Sequence, residues 1–102
     1  MPQKLMTKEI EKKLPTLYST EETPAEDKLM IVKYFTPDSN WTWYGAEFDG
    51  EDTFFGFVDG MEGEWGYFSL SELSTIKGPM GLPIERDLDF EPTKFAELKV
   101  NT

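Results

Sequence analysis

The chain has 102 residues, of which 20 are acidic and 10 basic, giving a formal net charge of −10. That balance excludes the usual nucleic-acid binder, whose Lys and Arg replace phosphate counterions, and disfavours anionic membrane surfaces. The absence of Cys and His removes disulfides, thiolate or imidazole zinc, Ser-His-Asp and Cys-His catalysis, and the usual neutral-pH general base.

The length fits one small domain spanning residues 1–102. An aromatic share of 15% supplies large apolar areas for its core. No apolar run approaches the roughly 18–20 residues of a membrane span. Met1 to Lys13 is polar, without the apolar centre of a secretory leader, and the expected location is the cytoplasm.

In chain order, Thr7 is a plausible N-cap for a short helix with Ile10, Leu14 and Leu17 at helical spacing. Pro15 ends that helix near Leu14, and "YSTEETPAED" (18–27) is a polar loop. "LMIVKYFT" (29–36) is β-branched and aromatic and predicts a strand, closed by the turn signal "PDSN". Three further strands follow in "WTWYGAEFD", "TFFGFVD" and "EWGYFS", joined by the short connections "GED" and "GMEG". Connections that short force antiparallel neighbours. "SLSE" from Ser69 has the form of a capping box, predicting a helix from about Leu70 to Ile76. "KGPMGLP" is irregular, "IERDLDFEP" extended, and Pro92 opens a last predicted helix near Thr93 to Leu98. The fold class is α+β: an antiparallel meander of four to five strands with short helices at the N-terminus, after the fourth strand and at the C-terminus.

Strict alternation places Trp41 and Trp43 on one face of the second strand, and Tyr44, Ala46 and Phe48 on the other. Rings fall on both faces. Either the helices cover one face and leave the other as an aromatic interaction surface, or the sheet curls and buries both.

Charge is distributed unevenly. Between Lys33 and Lys77 there is no basic residue, while Asp38, Glu47, Asp49, Glu51, Asp52, Asp59, Glu62, Glu64 and Glu72 all lie in that span. Carboxylates at Asp49 to Asp52 are of a type that holds Mg²⁺ or Ca²⁺, but the spacing departs from an EF-hand loop, and solvation is the simpler reading. Glu47 with Glu64 is the pair that glycosidase chemistry would need. No Gly-rich phosphate loop is present. No enzyme activity, resident metal or cofactor is expected. Arg86, the sole arginine, lies between Glu85 and Asp87, and either locks its loop to the sheet or holds an anionic ligand group.

The run from "YFTPDSNWTWY" through "EFDGEDTFFGFVDG" and "GYFSLSEL" to "GLPIERDLDFEP" resembles a bacterial family catalogued as domain of unknown function 2958. The resemblance covers about Leu5 to Pro92. It implies a setting in bacteria, phages and plasmid-like or integrative elements, in some cases beside antirestriction-type proteins. It carries over no catalytic residues.

These features together point to an acidic protein-interaction module whose carboxylates, spaced along a hairpin, imitate the phosphate row of a nucleic acid and occupy a basic surface on a nucleic-acid-binding effector, in the manner of an anti-CRISPR or antirestriction inhibitor. The expected anionic contacts are Asp49, Glu51, Asp52, Asp59, Glu62 and Glu64, and the expected ring anchors are Trp41, Trp43 and Tyr44. The same negative charge also fits a surface that serves solubility alone, and two functional alternatives stand beside the module. One is a small-ligand or nucleotide-binding domain whose aromatic groove is closed by "GPMGLPIERD", with Arg86 on the anionic group. The other is an accessory domain of a larger mobile-element protein. The sequence selects no oligomeric state.

Overall fold

A computed structural model describes residues 4–99. Helix α1 (Lys8–Lys13) begins where Thr7 Oγ1 accepts the Ile10 N–H at 3.2 Å, satisfying one of the donors a helix start leaves orphaned. It ends at Leu14, which is extended because Pro15 follows it. The predicted strand over 29–36 is two strands, β1 (Leu29–Met30) and β2 (Val32–Phe35), parted at Ile31. Next come β3 (Thr42–Phe48), β4 (Thr53–Asp59) and β5 (Gly63–Ser69), the expected meander. Helix α2 (Leu70–Thr75) is capped by Ser69, whose Oγ accepts the Glu72 N–H at 3.1 Å. A short β6 (Glu85–Arg86) returns to β2, and β7 (Thr93–Lys94) pairs with β1.

The main sheet has the order β5-β4-β3-β2-β6, with every pairing antiparallel, and the second sheet is the pair β1-β7. The architecture is α+β, as the sequence predicts. The expected C-terminal helix is reduced to a 3-10 turn, Phe95–Glu97, after β7. Its local helical signal loses to tertiary bonding. The Phe95 N–H donates to Lys28 O at 2.9 Å, and the Phe95 ring packs 4.7 Å from both Phe57 and Trp65.

Both faces of the sheet are covered, each by a different end of the chain. On one, Val32, Tyr34, Trp43, Phe54 and Phe68 pack with Leu14, Leu73 and Ile84. On the other, Tyr44, Ala46 and Phe57 pack with Met30, Phe90, Phe95 and Leu98. These are called the helix face and the tail face below. Of the two arrangements considered from the sequence, the sheet buried on both sides is the one found, with rings left open at its margins.

Alternation fails at one position. The register between β3 and β4 shifts between Gly45 and Glu47, so that Ala46 is an extra residue. Phe48 therefore pairs with Phe54 and joins Trp43 on the helix face, and Glu47 turns to the tail face opposite Phe55. The expectation that Phe48 shares a face with Tyr44 is corrected by this bulge.

Candidate functional site

The acidic residues of the central segment gather at opposite ends of the hairpins. Asp49, Glu51 and Asp52 lie in the β3–β4 turn, and Asp59, Glu62 and Glu64 at the β4–β5 turn. The two groups are separated by the length of β4, roughly 20 Å for seven residues at about 3.4 Å each.

At the first pole the carboxylates are engaged with the chain. Asp49 Oδ1 accepts backbone N–H bonds from Glu51 (2.8 Å), Asp52 (2.8 Å) and Thr53 (3.1 Å). Those bonds, led by the Asp52 and Glu51 N–H groups, lower the Asp49 pKa below its ordinary value. Asp52 spans to the start of α2, where Oδ1 accepts the Ser71 N–H and Oδ2 the Ser71 hydroxyl, both at 2.8 Å. These two acids close a turn and tie a helix to it. Among the described residues no three Asp or Glu side chains converge as a metal-binding group.

At the second pole the arrangement is a groove. Trp41, Val58, Met61, Glu62, Glu64 and Gly66 line a recess of about 590 Å³ that Trp65 and Tyr67 complete. Trp41 forms one wall. It is 41% exposed, and its ring stacks on Trp43 with centroids 6.0 Å apart. The turn residue Gly60 fits under that ring, and a Cβ there would overlap it. Met61 stands out at 87% exposure.

Of the three expected ring anchors, Trp41 alone is offered to solvent. Trp43 is buried on the helix face and Tyr44 on the tail face, where its ring meets Phe90 at 5.9 Å and the Lys33 ammonium at 5.9 Å. Burial, then the nearby charges of Asp59 and Asp87, raise the Tyr44 pKa.

Glu47 is the acid the sequence places least well. It is 3% exposed, and its carboxylate accepts the Tyr18 N–H at 2.7 Å, the Thr20 N–H at 3.2 Å and the Thr20 hydroxyl. Glu64 pairs with Val58 on the other face of the sheet. Glu47 and Glu64 therefore do not form a carboxylate pair.

A second groove of about 620 Å³ brings Trp41 together with Glu85, Arg86 and Asp87, the residues singled out for loop locking or ligand binding. Arg86 Nε donates to Lys4 O at 3.1 Å, and β6 pairs with β2 through Tyr34 and Phe35. Asp87 lies 3.7 Å from Lys33 Nζ. Beneath, the buried Tyr34 hydroxyl donates to Leu5 O at 2.6 Å, and burial raises its pKa, with Arg86 opposing.

Met61 and Gly66 line the same groove as Trp41, and neither stands out in the sequence. Gly66 has its signal in the parity of β5, which puts it on the same face as Glu64, while Met61, in the β4–β5 turn, has none.

Fold and surface define a small acidic α+β domain whose exposed rings sit beside carboxylates at one end of a meander. A family model described as "Protein of unknown function (DUF2958)" matches residues 5–98, and the chain belongs to that family. No curated protein and no solved structure matches the chain. No described helix is long and apolar enough to cross a membrane.

Proposed function

We propose that this chain is an acidic protein-interaction module, acting in the cytoplasm, that occupies a basic surface on a nucleic-acid-binding protein. The carrying observation is the groove at the β4–β5 end, where the exposed ring of Trp41 stands beside Glu62 and Glu64. A ring that holds apolar or cationic groups, next to carboxylates in solvent, fits Lys and Arg side chains. Asp59 belongs to the same pole, while Asp49 and Asp52 support the fold and leave Glu51 as the outlying charge. Occlusion would be local, at one pole, rather than imitation of a continuous row of phosphates. A counter-defence role in a phage or plasmid setting, of the anti-CRISPR or antirestriction kind, is the form this activity would take.

The test is affinity capture from a bacterial lysate rich in defence nucleases, eluted along a salt gradient, with Glu62→Gln/Glu64→Gln and Glu51→Gln run beside wild type. The expected result is a retained and identified nucleic-acid-binding protein that duplex DNA competes off. The double variant loses it and the single variant keeps it. Equal retention by all three overturns the reading.

The second reading, a small-ligand site, is favoured by one observation: Trp41 and Arg86 line the same 620 Å³ groove. It predicts sensitivity to Arg86→Ala and indifference to Glu62→Gln. The groove carries Lys33 and Arg86 against Glu85, Asp87 and Asp89, a near balance of charge that gives an anion little preference.

A further inference from the structure

The sheet has two edges, β6 and β5, and they are built differently. Strand β6 is two residues long and both are charged, Glu85 and Arg86, which is how native edges resist unwanted pairing. Strand β5 runs for seven residues, Gly63–Ser69, without a Lys, Arg or Pro. Its pairing with β4 continues from Asp59↔Gly63 to Thr53↔Ser69 with no register shift, so no bulge turns the edge away. Among the described residues β5 has a strand neighbour on one side alone, and alternate residues present outward N–H and C=O groups on the other.

The surroundings of that edge differ between the two faces. On the helix face, no atom of the described residues beyond Gly66 and its chain neighbours lies within 4 Å of the position a Cβ on Gly66 would take, and the groove with Trp41, Met61, Glu62 and Glu64 opens there. On the tail face Tyr67 is 57% exposed, and Trp65 stacks on Phe55 with centroids 5.8 Å apart. A strand added to β5 would send alternate side chains to each. Those on the helix face meet two carboxylates and a Trp ring, which select Lys or Arg. Those on the tail face lie across Trp65 and Tyr67, which select apolar groups.

We infer that the outer edge of β5 receives an extended segment of a partner protein, with basic and apolar residues alternating, as a sixth strand of the sheet. This rests on the proposed function and supplies its binding mode. A second copy of this chain is a poorer occupant, because each copy carries a net charge of −10 and would bring its own Glu62 and Glu64 to the shared edge.

The experiment titrates the full chain with a short peptide of alternating Lys and Val and follows amide hydrogen exchange along β5. Two controls have the same composition, one with its Lys and Val in separate blocks and one N-methylated at every second residue. The expected result is slowed exchange at alternate β5 amides with the alternating peptide, and none with either control. In Glu62→Gln/Glu64→Gln the affinity falls about fivefold at low salt, the scale of two exposed charge contacts. If the N-methylated peptide binds as tightly as its parent, edge pairing is overturned while recognition of basic segments stands. If the double variant binds the alternating peptide as tightly as wild type, the acidic groove is overturned as the selector, and the proposed function with it. Concentration-dependent protection of β5 without peptide would assign the edge to a second copy instead.

Discussion

The Glu47 carboxylate accepts the backbone N–H of Tyr18 at 2.7 Å across 29 positions of sequence, and Tyr18 holds a positive φ of 69° to offer it. Thr20 adds its N–H and hydroxyl to the same carboxylate, and the Lys28 ammonium donates to Thr20 Oγ1 at 3.0 Å. One buried acid thus fixes the loop between α1 and β1. Glu47→Ala strands three donors, and hydrogen bonds to a charged group are worth about 1.5–3 kcal/mol each before relaxation. The expected loss is about 3 kcal/mol, with Glu47→Gln losing roughly half of that. Urea unfolding at constant slope measures both. A midpoint unchanged in Glu47→Ala would mean that the loop is held by other contacts.

The same loop gives a subtler expectation at Tyr18. A left-handed conformation costs a non-glycine residue on the order of 1 kcal/mol, and glycine gives back a similar amount in unfolded-chain entropy. Tyr18→Gly is therefore expected to leave stability within about 1 kcal/mol of wild type. It also removes the hydroxyl that hydrogen-bonds Tyr67 and raises the Tyr67 pKa. An ultraviolet pH titration of the tyrosines would then lose that raised component.

Asp38 and Gly78 make a contact that admits no side chain. Asp38 Oδ2 accepts the Met80 N–H at 2.8 Å, and its Oδ1 lies where a Cβ on Gly78 would be. Gly78→Ala is expected to destabilise by about 2 kcal/mol, through overlap and loss of the Met80 bond. Asp38→Ala costs the bond alone. Thermal unfolding of the double variant should give less than the sum of the two losses, since removing the carboxylate makes room for the added methyl. Strict additivity would mean that the two residues do not act on each other.

The strand meander, the two capped helices and their order were legible in the sequence because each rests on local chemistry: Thr7 and Ser69 as caps, and turns of Gly and Asp between β-branched and aromatic runs. Three features were not, and each depends on pairing at a distance. The bulge at Ala46 leaves no local signature, yet it moves Phe48 and Glu47 to the opposite faces from those alternation predicts. The burial of Glu47 depends on a loop nearly thirty residues earlier. The segment after Pro92 reads as helix until β1 and the rings of Phe57 and Trp65 are set beside it. At the candidate site the acidic character of the span was evident. Its division between two poles follows from hairpin geometry, and the engagement of Asp52 depends on where α2 begins.

Asp49 gives the pH dependence a direction. Its pKa is lowered in the folded chain because backbone N–H groups of Asp52, Glu51 and Thr53 favour the carboxylate. The unfolded group titrates near 3.9. The stabilisation is present above that value and disappears as pH falls through the lower folded pKa. Asp49→Asn keeps an acceptor in the turn and cannot gain from ionisation. Its melting temperature is therefore expected to lie below wild type by a constant margin at neutral pH, with the gap closing below about pH 4. A margin unchanged down to strongly acid pH would show that the charge of Asp49 contributes nothing to the turn.

Trp41 is held by the glycine beneath it, which allows its role in binding to be separated from its role in the fold. Added at Gly60, a Cβ overlaps the six-membered ring of Trp41, and the ring must leave its place against Trp43. Because the ring is 41% exposed and Gly60 lies in a turn, the stability loss in Gly60→Ala is expected to stay near 1 kcal/mol. Its effect on partner binding is expected to approach that of Trp41→Ala, a loss of about tenfold for an anchoring ring worth roughly 1.4 kcal/mol. Tryptophan emission should shift to the red as the ring gains water. Normal binding with shifted emission would show that Trp41 moves without serving as an anchor. Weakened binding with unshifted emission would place the effect in the backbone of the β4–β5 turn, beside Asp59 and Glu62.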